Sequence, residues 1–132
     1  MKHSYKYYLR LLWVKLMHLG KLTGCHQLPE RSFHYKDYQF PVCARCCGVL
    51  IGETLAIIVI PFGIILSIPV SLTLMLGMFV DWFTQYVEIK QSNNIRRLIT
   101  GIMGGLGCWS LYINIFIQLM RFFKKIRNSI TS

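Results

Sequence analysis

Residues 42–60 read VCARCCGVLIGETLAIIVI, and the fold turns on this stretch. The stretch as a whole, which ends at a stop before Pro61, is close to the roughly 20 residues needed to cross a hydrocarbon core, and from Gly48 it is almost unbroken in apolar residues. Two features have no use in a plain membrane anchor. A Cys-x-x-Cys pair, Cys43 and Cys46, stands at its start, and a carboxylate, Glu53, lies well inside it. The stretch therefore predicts a spanning helix with a polar site at one end.

Working outward, residues 62–80 form a second spanning stretch, interrupted by Pro69, and residues 98–120 a third. The connection at Pro61 is short and uncharged, which predicts a tight helical hairpin between the first two. A polar segment, 81–97, separates the second and third, and a basic tail, 121–132, follows. On the amino side, 24–41 is polar and aromatic without a helical or strand period, and predicts an ordered loop. Before it, Tyr5, Tyr8, Leu9, Leu12, Trp13, Leu16 and Met17 recur at helical spacing while Lys6, Arg10 and Lys15 fall mostly elsewhere. Residues 5–19 thus predict an interfacial amphipathic helix, with a further spanning helix carrying snorkelling bases as the alternative. Gly20 and Gly24 end it.

Together these segments predict an all-α membrane protein: one domain, 1–132, of about three transmembrane helices plus the amino-terminal helix. The composition agrees, because 54% of the 132 residues are apolar and 15% charged, and the apolar residues come in long blocks. Arg10, Lys15 and His18 interrupt the first apolar run, so it does not read as a cleavable signal peptide. The expected location is the cell membrane, crossed several times.

A net charge of +10 raises nucleic acid as a partner, but the bases sit beside apolar blocks, at Lys2 to Lys21 and Arg121 to Arg127. That placement points to membrane lipids and anionic headgroups instead, and to no nucleic acid. With three spans, the cations at or before the start of the first span share a side with those of 81–97, and they outnumber those of the tail. That side is expected to be cytoplasmic. Gly48 and Gly52, like Gly101 and Gly105, stand four apart, a spacing that brings helix backbones close in a compact bundle and also offers a route to a homo-oligomer.

Cys25-His26, returning after a loop to Cys43-Ala44-Arg45-Cys46-Cys47, has the residue types and spacing of a tetrahedral metal shell. Cys25, His26, Cys43 and Cys46 are the expected ligands, with zinc as the cofactor and His34 as a substitute for His26. The same atoms suit two other uses: a thiol–disulfide redox pair at Cys43 and Cys46, with Arg45 and the helix start lowering a thiol pKa, or packing as small apolar groups. Glu53 is expected to face a partner or cavity, as in a scaffold or small transporter, since an ionisable group inside a span is costly. Asp81 and Gln85 share a face at the end of the second span, and Ser92, Asn94, Arg97 and Thr100 lead into the third. All converge on the Cys/His loop. In a catalytic reading for a lipid or lipid-linked substrate, Asp81 is acid, base or nucleophile, Gln85 positions and Arg97 binds an anion, with Glu53 deeper in the span. An Asp81–Arg97 ion pair between ordinary helix caps is the plainer alternative. Phosphate-binding glycine loops, a His-Glu-x-x-His pattern and a serine elbow are missing.

Cys25-His26-Gln27-Leu28-Pro29-Glu30-Arg31-Ser32-Phe33 and Pro41-Val42-Cys43-Ala44-Arg45-Cys46, followed by Gly48 and Gly52, resemble an uncharacterised family of small prokaryotic multi-pass membrane proteins, domain of unknown function 2085. Asp81, Gln85, Ser92, Asn94, Arg97, Thr100 and Gly101 resemble its later motif. Cys47 stands where a hydroxyl residue is usual in that pattern, and Trp82 where glycine is usual. The resemblance covers roughly residues 24 to 105; it implies a multi-pass membrane protein in which these polar residues form one site, and no particular reaction.

Overall fold

The structure, a computed structural model, describes residues 2–89, 91 and 93–130. Helix α1 spans Lys2–Leu22. A short 3-10 turn, Pro29–Arg31, leads into strands β1 (Ser32–Tyr35) and β2 (Tyr38–Cys43). Helix α2 (Ala44–Val59) continues through a second 3-10 turn, Ile60–Phe62, and α3 (Ile68–Tyr86) and α4 (Asn94–Ile130) follow. Three stretches, Ala44–Phe62, Ile68–Tyr86 and Asn94–Ile130, are long and apolar enough to cross a membrane. Broken by Lys6, Arg10 and Lys15, α1 is not among them.

The expected loop 24–41 is instead largely a β-hairpin. β1 and β2 pair antiparallel, with Tyr35 opposite Tyr38 and His34 opposite Gln39, and an irregularity separates these pairs from Ser32 opposite Cys43. Lys36, with φ 53°, turns the chain in the left-handed region, and the Phe33 and Phe40 rings meet edge to face, centroids 6.3 Å apart. Trp13 Nε1 of α1 donates to the Gln39 carbonyl at 2.8 Å and its ring meets Tyr38 edge on. Gln27 Nε2 donates to the carbonyls of Met17, at 2.7 Å, and Pro41, at 2.5 Å. These contacts tie α1 to β2, and β2 runs straight into α2.

The second spanning helix begins six residues later than the expected 62–80. Pro61 lies within the 3-10 turn, and Gly63, at φ 79°, reverses the chain. Pro69 opens α3 at its second position, where its missing N–H has no helical partner to lose, rather than interrupting it. As a result Asp81 and Gln85 lie within the last turns of α3. Helix α4 starts at Asn94, where the Arg96 amide donates to Asn93 Oδ1 at 2.8 Å, and includes the expected basic tail as far as Ile130. Its 37 residues extend about 55 Å, well beyond a hydrocarbon core of about 30 Å.

Helix α4 lies between α2 and α3. A Cβ on Gly48 or Gly52 would collide with backbone of α4 at Leu98 and Ile102, and one on Gly101 or Gly105 with backbone of α2 at Arg45 and Val49. Both four-residue glycine pairs are thus used within one chain, with α2 and α4 running in the same direction. Gly104 abuts Met78, and Gly107 abuts the Ser71 carbonyl, so α3 runs antiparallel to α4. Apart from Asp81 and Arg97 at the polar end, the buried positions of the bundle are Gly, Ala and Ser, while Leu50, Ile57, Leu76, Phe79 and Ile115 point outward. Such exposed apolar surface suits lipid, where close packing of small residues takes the place of a hydrophobic core. Because α2 starts, α3 ends and α4 starts at one end of the bundle, the polar residues converge there.

Gly48→Leu forces a side chain into the α4 backbone and is expected to destabilise the bundle by about 1–3 kcal/mol, whereas Leu50→Ala on the outer face has a smaller effect. Thermal melts of the purified protein in detergent check this ranking; equal melting of the two variants would contradict the packing.

Candidate metal centre and the polar clamp beside it

Cys43 is the last residue of β2 and the N-cap of α2, in extended conformation (φ −67°, ψ 162°), and Cys46 follows one turn into the helix. Cys25 arrives from the loop after α1. Its amide donates to the Gly20 carbonyl at 3.3 Å, and its sulfur accepts the Cys43 amide at 3.1 Å. The sulfurs of Cys25, Cys43 and Cys46 all lie within 4.8 Å of one another, a group that can hold a metal ion. Cys25 and Cys43 are buried, Cys46 is half-buried, and none of the five cysteines forms a disulfide. The Cys46 thiol, hydrogen-bonded to the Cys43 sulfur, holds Cys43 down to about 4 against the opposing effect of burial, with smaller help from the Cys46 amide, Cys25 and the charge of His26. Such a donor set fits a cation that binds sulfur.

The histidines lie outside this three-sulfur group. His26 is exposed, and its Nδ1 accepts the Leu28 amide at 3.2 Å; His34 is exposed on β1. Cys47 points elsewhere, its thiol donating to the Val42 carbonyl at 3.7 Å.

Behind the sulfurs, Asp81 is 2% exposed and joins all three spanning helices. Its Oδ2 accepts from Arg45 Nη2 of α2 at 2.8 Å, from Gln85 Nε2 at 2.7 Å and from Thr100 Oγ1 of α4 at 3.2 Å, while Arg96 Nε lies 2.7 Å from Oδ1 as an ion pair. The Asp81–Arg97 ion pair of the plainer alternative does not form; Asp81 pairs with Arg45 and Arg96. Only 9% exposed, Arg97 donates through Nε to Gln85 Oε1 at 3.0 Å and through Nη1 to Asn94 Oδ1 at 3.2 Å. Asn94 Nδ2 in turn donates to the Ser32 carbonyl at 3.2 Å, which fastens the hairpin to α4. The helical register explains the partner exchange: Arg96 and Thr100 stand four apart on the α4 face toward Asp81, and Arg97 is turned one position away.

Asp81, Gln85, Asn94, Arg97 and Thr100 thus join one hydrogen-bonded network, and Ser92 lies outside the described residues. Glu53 is not part of it. It is half-buried on α2, its amide close to Gly105, and its carboxylate has no hydrogen bond or ion pair among the described residues. The sequence reading missed Arg45 and Arg96 as the partners of Asp81, although Arg45 sits between the two cysteines and Arg96 stands four before Thr100. It also missed Gln27 and Gln39; the Gln39 amide donates to the Gln27 carbonyl at 2.8 Å and to Ser32 Oγ at 3.2 Å.

Residues 25–111 match the family described as "Predicted membrane protein (DUF2085)", and the chain belongs to that family. It is 37% identical over 87 residues to an uncharacterized protein of Methanothermobacter thermautotrophicus, covering 63% of this chain and 78% of that one. It is 34% identical over 109 residues to an uncharacterized protein of Methanocaldococcus jannaschii, covering 78% and 69% respectively. No solved structure matches. With three helices able to span a bilayer, this is a multi-pass membrane protein.

Asp81→Asn removes the charge that two arginines share in a buried site, and a change of this kind typically costs about 3–5 kcal/mol. The variant is expected to melt well below the parent in detergent. Glu53→Gln, which removes no ion pair, is expected to melt close to it, and comparable losses in the two would argue against a clamp.

Proposed function

We propose that this is a zinc-binding membrane protein whose Cys25, Cys43 and Cys46 thiolates hold the ion at the cytoplasmic face, with His26 as the fourth ligand. The observation that carries this reading is the mutual approach of three sulfurs from two separate segments, within 4.8 Å. Sulfur-rich tetrahedral donors favour zinc among common cations, and in a reducing compartment free thiols of this kind persist. His26 follows Cys25 directly in the chain, next to one of the three sulfurs, which supports it over His34 on β1.

Asp81 belongs in this reading as the group that fixes the start of α2, and with it Cys43 and Cys46. Its Oδ2 accepts from Arg45, Gln85 and Thr100, and its Oδ1, without a hydrogen bond, is ion-paired with Arg96; a carboxylate held between two arginines favours a structural anion over an acid, base or nucleophile.

Protein purified without added metal is expected to carry close to one zinc per chain by elemental analysis. Cys43→Ser and Cys46→Ser are expected to lose it and Cys47→Ser to keep it. Because protons compete for thiolates, occupancy is expected to fall on acidification. Metal-free protein with a reversible Cys43–Cys46 disulfide would instead assign these thiols to redox chemistry.

Sidedness is tested separately. In a background without native cysteines, Phe62→Cys is expected to react with an impermeant thiol reagent in intact cells, and Gln91→Cys only after permeabilisation. The reverse pattern would move the sulfur group to the outer face.

A further inference from the structure

Between α1 and the hairpin lies an open groove of about 1250 Å³ that neither the sulfur group nor the Asp81 clamp uses. One wall is a stripe of α1, Tyr5, Leu9, Leu12, Trp13 and Leu16, and the other is the hairpin around Tyr35, Tyr38 and Phe40. Leu9, Leu12, Tyr38 and Phe40 are each 40% exposed or more, so the walls are apolar surface left open. Its rim is charged: Lys6 and Arg10 from α1 face Lys36 from the hairpin, with Asp37 the acidic residue that lines it. None of the three cations is ion-paired among the described residues; Lys36 Nζ lies 5.5 Å from the Tyr35 ring centroid.

We propose that this groove binds an anionic phospholipid, its glycerol and upper acyl region against the Leu9, Leu12 and Phe40 wall and its phosphate among Lys6, Arg10 and Lys36. Three observations favour that occupant. β2 runs directly into the α2 span at Ala44, so the groove floor at Phe40 and Pro41 lies within a few residues of the membrane segment, at headgroup depth. Apolar walls beneath a cationic rim match a molecule with an acyl part and a negative head. A second copy of the chain would bring like charges together at the rim, which disfavours self-docking. The inference is independent of the zinc reading, since none of these residues touches the sulfur group.

Native mass spectrometry of the full chain in detergent, titrated with phosphatidylglycerol or phosphatidylcholine, tests it. Parent protein is expected to retain one phosphatidylglycerol in preference to phosphatidylcholine. The triple variant Lys6→Gln, Arg10→Gln, Lys36→Gln is expected to bind it roughly tenfold more weakly or worse, as loss of several headgroup contacts implies. Lys124→Gln with Lys125→Gln, on the distant end of α4, is expected to leave it unchanged. Leu9→Trp keeps the charge and fills the groove, so it is expected to weaken retention too; unchanged retention in that variant would reduce the effect to surface electrostatics and overturn the proposal. Equal retention of both lipids, or a dimer that the triple variant abolishes, would overturn it as well. Unchanged zinc content in the groove variants keeps this outcome separate from that of the metal reading.

Discussion

One buried carboxylate sets the geometry of the polar end of this protein. Asp81 sits on α3, and its partners come from both other spanning helices, Arg45 from α2 and Arg96 with Thr100 from α4. A buried anion lowers its free energy only when cations and donors reach it together, so the three helix ends are held in one relative placement. An apolar contact of the same area would tolerate sliding by a residue; this one does not. Arg45 stands between Cys43 and Cys46, so the same contact that joins the helices also orients the start of α2. Cys43 and Cys46 flank that contact, and Cys25 is brought to them by its own hydrogen bonds to Gly20 and Cys43.

Below the clamp the helices approach through absence of side chains. Gly48 and Gly52 lie against the α4 backbone and Gly101 and Gly105 against the α2 backbone, while on another face of α4 Gly104 makes room for the Met78 side chain and Gly107 for the Ser71 carbonyl of α3. In lipid there is no gain from hiding leucine, so the large apolar residues face outward and small ones inward. The inverted pattern also explains why α4 can serve two neighbours: glycines at 101, 104, 105 and 107 clear two faces of one helix. Dispersion and close backbone contact hold the bundle, and the Asp81 network gives it register.

The spans are legible because stretches of about twenty mostly apolar residues have few other uses; α2 lies within two residues of the expected 42–60, whereas α4 starts four residues before the expected 98–120 and ends ten after it. Helix α3 begins six residues after the expected 62 because Pro69 opens the helix instead of interrupting it. The hairpin was hidden by its chemistry: its turn is Lys36-Asp37, without the Asn-Gly or Asp-Gly signal, β1 has only four residues, and Pro41 sits in β2. The cysteines were identifiable from spacing alone, since Cys-x-x-Cys at a helix start fixes two sulfurs about one turn apart. What spacing could not supply was the rotation of α4 about its axis. That rotation, which the glycine contacts of α4 with both α2 and α3 accompany, makes Arg96 rather than Arg97 the partner of Asp81.

The same logic bears on why a metal site would sit where a loop meets a span. The hairpin has two short strands, too little sheet to be stable by itself. It is held from three sides: by Gln27 and Trp13 to α1, by Asn94 through the Ser32 carbonyl to α4, and by the Cys43 amide to the Cys25 sulfur. The first two are hydrogen bonds at the rim of the membrane, where water competes. The third joins the loop after α1 to the start of α2, and it is the one place where a bond stronger than a hydrogen bond is chemically available. A cation shared by Cys25, Cys43 and Cys46 would convert that weak contact into coordination, and it would do so beside a helix start already fixed by Asp81. The clamp on α2 and the hydrogen bonds of Cys25 to Gly20 and Cys43 together make the sulfur geometry largely pre-formed. Pre-formation raises affinity because less ordering remains to be done when the ion binds.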